Sequence, residues 1–361
     1  MQGKKWTFDE AAYGRLQSLV SVVSPSMDET DMASYLRNCW KDCGMSSETD
    51  VMGNLHSSFK GQRDMNVALC AHMDTVAVQI TRILSNGMLL FRRVGLAPHV
   101  LLGQRLTFKT SKGNVQGVVG FDPTSQYGQP KGLVEEDLWI DICASSQTEA
   151  NALVSVGDLG VINYGMMAVN GDCLCGSSLD NRIGLFVLNE CMRWYAGKDV
   201  PVNLHFVTTV QEEVGLRGGA VAASHGSYDA CIVLDVDYAT DTLVPHDNQM
   251  GVLKLGAGAG LQMKADNSPV LRRLATEVAG RENIDIQMSL GRFLYGGTDS
   301  SPIQVVGNGV ATLNVSLPCR YMHSPVEICH KKDVESAINL LIGVVEEVGR
   351  RRSGSFTPGI D

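Results

Sequence analysis

Four short apolar runs set the frame: VALCA at 67–71, LHFVTTV at 204–210, CIVL at 231–234 and LNVSLP at 313–318. They alternate along the chain with segments of helical apolar period, such as DNRIGLFVLNECMRWYA at 180–196 and DVESAINLLIGVVEEV at 333–348. Runs apolar at nearly every residue, rather than at every second one, belong to strands covered on both faces. The chain therefore reads as an α/β fold, with a mostly parallel central sheet flanked by helices.

One stretch breaks this pattern. From 76 to 164 apolar and polar residues alternate, as in RLTFKTSKGNVQGVVG, with SKGN as a hairpin turn and glycines at close spacing. This predicts a β-rich insert, holding one helix that opens at the capping pair Ser146 and Glu149. The division expected is 1–75 with 165–361 as one unit and 76–164 as the other, within the 361 residues available. Ahead of the insert, helices are expected in DEAAYGRLQSLVSVV and in DETDMASYLRNCWKDCG, with Gly44 as the stop. After it, a helix should open at Ser268 and Pro269.

A formal charge of −9 without a basic run gives no footing for nucleic acid or an anionic membrane. Arg350, Arg351 and Arg352 fall at the end of a helix, where positive charge suits the dipole. The first twenty residues lack the apolar core and cleavage site of a signal peptide, and no apolar run is long enough to span a bilayer. A cytoplasmic protein is expected. Its ten cysteines then read as free buried thiols, and Cys173 and Cys175, spaced CxC, as non-ligands.

In open α/β sheets ligands bind beyond the carboxyl ends of the strands. Those ends carry His72 and Asp74, then Glu212 and Glu213, then Asp235, then the loop with His323, while Asp180 precedes a helix that reads as amphipathic from Arg182 on. Taken singly, Asp180 caps its helix, His72 is a satisfied core histidine and Asp235 opens a turn. Gathered at one sheet edge, five carboxylates and two imidazoles repel and desolvate one another unless cations offset them. The set of nitrogen and oxygen donors without thiolate fits two divalent ions, Zn2+ first, Co2+ or Mn2+ as alternatives, bridged by one carboxylate. Two metals roughly 3.5–4 Å apart polarise a carbonyl and activate a shared water. Adjacent residues of extended chain point opposite ways, so one of Glu212 and Glu213 is expected to bind metal and the other to handle protons.

The ordered set AHMDTV, GSSLDNRIG, QEEVGLRGG, VLDVDYATD, YGGTDSS and RYMHSPVE resembles metallopeptidase family forty-two, the two-metal aminopeptidases that include the tetrahedral and glutamyl types. The insert segments LGQRLTFKTSKGNVQGVVG and LWIDICASSQTEANALVSVGD resemble that family too. The resemblance implies that His72 and Asp235 hold one metal, that Glu213 and His323 hold the other, and that Asp180 bridges. It makes Glu212 the general base and Asp74 the carboxylate supporting His72. It further implies removal of N-terminal residues from short peptides, a small β-barrel in the insert, and homo-oligomers from a dimer up to a tetrahedral dodecamer. No substrate-binding residue is singled out.

The chain departs from the family at Thr75, at GFDPTSQYG (120–128) and after Asp299 in GGTDSSPI. The HMDTV form also resembles related two-metal N-acyl-amino-acid deacylases and carboxypeptidase-type hydrolases, which stand as the alternative. A glycosidase would use a glutamate pair, but leaves His72, Asp180, Asp235 and His323 without a role. KLGAGAGLQ (254–262) reads as a strand or tight turn rather than a phosphate loop. His56, His99, His205, His225, His246 and His330 have no partner at ligand spacing and read as surface or packing histidines.

Overall fold

The computed structural model describes residues 5–122, 134–243, 250–351 and 356. His246, Arg352 and most of the GFDPTSQYG segment lie outside them.

In chain order the strands are β1 (Glu48–Thr49), β2 (Leu55–Phe59), β3 (Arg63–His72), β4 (Ala77–Ile83), β5 (Leu89–Val94), β6 (Arg105–Thr110), β7 (Gly113–Phe121), β8 (Leu138–Asp141), β9 (Leu159–Val161), β10 (Met166–Val169), β11 (Cys173–Gly176), β12 (Val202–Thr209), β13 (Ala230–Tyr238), β14 (Ala259–Gln262), β15 (Ile286–Ser289), β16 (Ala311–Cys319) and β17 (Glu327–His330). The central sheet runs β1-β2-β12-β3-β13-β16-β14-β15. Its middle, β12-β3-β13-β16, is parallel, while β2 and β14 pair antiparallel with their inner neighbours. The four apolar runs of the sequence are these four middle strands, so their carboxyl ends share one edge.

The insert closes into a six-stranded barrel, β4-β5-β8-β7-β6-β9, around its own core of Val78, Ile80, Leu106, Phe108 and Ile140. Its hairpin turns on Ser111 and Lys112, with Thr110 paired to Gly113. At its helix Gln147–Leu153, Ser146 Oγ accepts from Glu149 N as expected, but the Glu149 carboxylate turns to Ser145. A third sheet, β10-β11-β17, lies beside the central one.

Helices Glu10–Val20, Thr30–Asp42 and Pro269–Glu282 form where capping and period place them, with Ser268 Oγ capping the last and Gly44 at φ +77 after the second. The helix Leu179–Tyr195 differs from its expected amphipathic form, being buried along nearly its whole length. It packs on β3 and β13 and against the helices Glu10–Val20 and Lys331–Arg350, so its polar residues other than Arg193 face protein rather than water. Glu190 pairs with Arg15 at 2.7 Å, and Asn189 Oδ1 accepts from Trp40 Nε1 at 2.8 Å. All ten cysteines are free, though only five are buried and Cys143 is exposed. KLGAGAGLQ is a turn leading into β14.

Trp40 fills the space between Thr30–Asp42 and this central helix, with 1% of its surface exposed. Trp40→Ala removes the indole and its bond to Asn189, and should lower unfolding stability by about 3–5 kcal/mol in a urea titration, with unchanged stability as the contrary result.

Candidate metal centre

His72 ends β3, and Asp235 lies on the adjacent parallel β13, each two residues beyond the paired Cys70 and Val233. His72 Nε2 stands 3.2 Å from Asp180 Oδ1 and 3.5 Å from Asp235 Oδ1. Strand β13 continues past Asp235 to Tyr238, so Asp235 and Asp237 face the same side of the sheet. Of the two, Asp235 meets His72, while Asp237 accepts from Ser289 and Gln262.

Asp180 is not the cap of its helix. That role falls to Asn181, whose Oδ1 accepts from Gly184 N and whose Nδ2 donates to Leu234 O at 2.8 Å. Asp180 is free to face the cleft, with Oδ1 toward His72 and Oδ2 3.3 Å from His323 Nε2. One carboxylate thus stands between two imidazoles. His323 Nε2 also lies 3.2 Å from Glu213 Oε2. Its Nδ1 sits 3.1 Å from the carbonyl of Gly95, which follows β5, so the barrel segment supplies part of the site. Gly95 adopts φ +77, and a Cβ there would stand 2.4 Å from Val76 Cγ1.

The two glutamates do not point to opposite faces as extended chain would. Strand β12 ends at Thr209, Gln211 takes φ +56, and Glu212 and Glu213 lie in a turn whose carboxylates enter one cleft. Asp74 makes that turn: its Oδ1 accepts from Glu212 N and its Oδ2 from Glu213 N, each at 3.0 Å, with Ser26 Oγ also donating to Oδ2. The same residue faces His72 Nδ1, with its main-chain oxygen at 3.2 Å and its carboxylate at 3.4 Å, leaving Nε2 for the cleft. Gln211, Ser178 and His323 all hold left-handed backbone at non-glycine residues, a concentration of strain of the kind found at functional sites.

Charge in this cleft is unbalanced. Asp74, Asp180, Glu212, Glu213, Asp235, Asp237, Asp299 and Glu327 have buried side chains, against Arg182, Lys264, His72 and His323. Burial, with the neighbouring Asp180, pushes Glu213 up to about 7, and burial pushes Asp299 up to about 7. Burial raises Glu212 well above the carboxylate range, with the charges of Asp235, Glu213 and Asp299 adding to it. Against the opposing pull of burial, Asp180 and Glu213 hold the His323 imidazole up to about 12. Asp180 moves down: burial opposes ionisation, but hydrogen bonds from His323 and His72 outweigh it. Protons and imidazolium here do what a bound cation does, compensating carboxylates brought closer than their charges allow.

The donors fit divalent metal. His72, Asp180 and Glu213 offer three donor atoms within 4.8 Å of one another, and His72, Glu212 and Asp235 offer a second such group. Glu213 Oε1 and Asp299 Oδ1 are buried without a hydrogen-bond partner, and orphaned acceptors of this kind are costly unless something binds them. All the donors are imidazole or carboxylate, suited to zinc, cobalt or manganese.

Glu327 has no role in the sequence reading, although it closes the RYMHSPVE segment. Fully buried, its Oε2 accepts from Asp180 N at 3.0 Å and its Oε1 from His323 N at 2.8 Å. Four residues separate it from His323, a spacing that means nothing until the loop returns into β17.

The fold and the cleft define a class: metal-dependent peptide hydrolases with a barrel inserted in the catalytic sheet. The chain matches the M42 glutamyl aminopeptidase family over residues 53–340 and belongs to it, which makes it a metal-dependent aminopeptidase. It is 32% identical to the lysyl aminopeptidase of Pyrococcus furiosus, over 88% of this chain and 91% of that protein. The TET aminopeptidase of Thaumarchaeota archaeon SCGC AB-539-E09 has the same fold, with a TM-score of 0.87 at 30% identity, covering 94% of this chain and 97% of that one. The TET1 peptidase of Pyrococcus horikoshii, described as assembling into a tetrahedron or a large octahedral shell, matches with a TM-score of 0.84 at 29% identity over 92% and 99% of the two chains.

Glu327→Gln puts an amide N–H against one of two main-chain donors and loosens both Asp180 and His323. Metal affinity should fall about 10–100-fold, read as faster metal release to a chelator; an unchanged release rate counts against this positioning role.

Proposed function

We propose that this chain removes N-terminal residues from short peptides with two divalent metal ions, zinc first, and with Glu212 as general base. The observation that carries the reading is Asp180 standing between His72 and His323, with Asp235 and Glu213 on either side. In it, His72 and Asp235 hold one ion, Glu213 and His323 the other, and Asp180 both. When bound, the ions polarise the scissile carbonyl and acidify the attacking water.

The protein's own groups do the rest. Asp74 fixes the His72 ring from behind and sets the turn that aims both glutamates. Glu212 takes the water proton on its carboxylate and delivers it to the leaving amine. Its burial favours the protonated form, the direction a base needs to accept a proton near neutrality. Substrate enters a cleft of about 240 Å³ whose outer wall includes Tyr238, Lys264, Arg292 and Phe293.

Among the described residues no helix is long and apolar enough to cross a membrane. The reading places the enzyme in the cytoplasm as a homo-oligomer. The tetrahedral or octahedral assembly of the Pyrococcus horikoshii relative supports the homo-oligomer, and in this reading the barrel is the subunit contact.

Glu212→Gln should keep its metal by elemental analysis and lose about 10²–10⁴-fold in kcat; turnover at the wild-type rate removes Glu212 from the role. On aminoacyl chromogenic substrates, chelation should abolish activity and zinc, cobalt or manganese should restore it. Cleavage confined to N-acetylated substrates overturns the aminopeptidase reading in favour of a deacylase.

A further inference from the structure

In the turn that carries Glu212 and Glu213, every main-chain N–H from 210 to 213 is taken by a side chain brought from elsewhere. Val210 N donates to Asn54 Oδ1 at 3.0 Å and Gln211 N to Glu29 Oε1 at 3.1 Å, ahead of the two that Asp74 takes from Glu212 and Glu213. The Glu29 bond falls on the residue that sets the direction of the chain, because Gln211 is the left-handed residue (φ +56) that sends both glutamates into one cleft. Left-handed backbone is unfavourable for a residue with a Cβ and persists only where surrounding contacts hold it.

Glu29 serves neither packing nor capping. It stands at the N-cap position of the helix Thr30–Asp42, where a short polar side chain usually satisfies the first N–H groups, yet its side chain makes no capping bond. Its Oε1 accepts instead from Met27 N at 3.0 Å and from Gln211, 182 positions away. The residue is buried, and burial, with the charge of Asp74 adding, pushes its carboxyl up to about 7. An acid is kept here at a cost.

The segment around it is itself anchored. Ser24 Oγ donates to Met73 O at 2.9 Å, Ser26 N to Thr75 O at 3.1 Å and Ser26 Oγ to Asp74 Oδ2 at 2.6 Å, which ties residues 24–26 to the chain just beyond β3. On the other side, Lys109 of barrel strand β6 donates from Nζ to Asp28 Oδ1 at 2.9 Å and to Thr30 Oγ1 at 2.6 Å. Glu29 therefore lies in a strap held at both ends, and reaches from it to the glutamate turn.

We propose that Glu29 is a positioning residue for the hydrolysis: by holding Gln211 N it fixes the left-handed turn and so aims the Glu212 carboxylate at the attacking water. The assignment rests on Glu212 being the general base. Glu29 does not line the catalytic cleft, so it acts through Gln211.

Steady-state kinetics on the metal-saturated enzyme, with Glu29→Ala, Glu29→Gln and Glu212→Gln measured side by side, test this. Glu29→Ala should lose about 10–100-fold in kcat at wild-type KM, with its metal content unchanged by elemental analysis. Glu29→Gln keeps an oxygen that accepts from both N–H groups and should recover most of that loss. Wild-type kcat in folded, metal-loaded Glu29→Ala overturns the role even where its Tm falls, since a purely structural contact changes stability alone. Equal losses in the alanine and glutamine variants overturn it as well, because the acceptor is then not what counts. Where the alanine variant does not fold, Glu29→Asp serves: the shorter side chain draws the carboxylate back from Gln211 N and should lower kcat at wild-type KM, and wild-type kcat there overturns the role. Turnover at the wild-type rate by Glu212→Gln removes the base itself and this role with it, whereas loss there beside full activity in Glu29→Ala removes only the role of Glu29.

Discussion

Crowding of like charge is the constraint on which this molecule turns. Carboxylates of Asp180, Glu212, Glu213 and Asp235 converge with two imidazoles at the edge of a sheet whose interior is apolar. Buried carboxylates in such numbers resist ionisation, and the upward displacement of Glu212, Glu213 and Asp299 measures that resistance. Asp180 and Asp74 move the other way against the pull of burial, Asp180 because it faces both histidines and Asp74 because His72, Ser26 and the Glu212 N–H bond to it. The arrangement makes physical sense as a receptacle for positive charge, which family membership identifies as metal.

Two buried acids convert this receptacle into fixed geometry. Asp74 binds consecutive main-chain N–H groups of the glutamate turn and backs His72. Glu327 does the same for Asp180 and His323. Each spans two donor-bearing segments distant in sequence, so the position of one donor depends on that of another. The rest of the fold supplies the platform: parallel β3 and β13 set His72 beside Asp235, and Gly95, beyond β5 of the barrel, lends its carbonyl to His323.

Much of this was legible along the chain. Strand ends, caps at Ser146 and Ser268, the β-rich insert and the cleft-facing acids all follow from local pattern, because capping and strand burial depend on near neighbours. Other features escaped for reasons equally physical. The helix Leu179–Tyr195 carries enough polar residues to look amphipathic, yet Trp40 and Arg15 satisfy Asn189 and Glu190 from other helices. Extended chain would send the adjacent glutamates opposite ways, whereas the left-handed Gln211 turns both into one cleft. His56, His205 and His225 lie far apart in sequence and become neighbours only through β2–β12 pairing and the docked helix end.

The amino-acid sequence by itself determined which elements form and which side chains stand at the ends of the parallel strands, since periodicity, capping and burial are properties of short segments. Which acids became structural supports, which nitrogens were left free and how far apart the donors stand were decided only in the tertiary structure. Those outcomes depend on contacts between residues tens to hundreds of positions apart, such as Asp74 with Glu213 and Asp180 with Glu327. Local preference carries no information about such pairs; chain packing creates them.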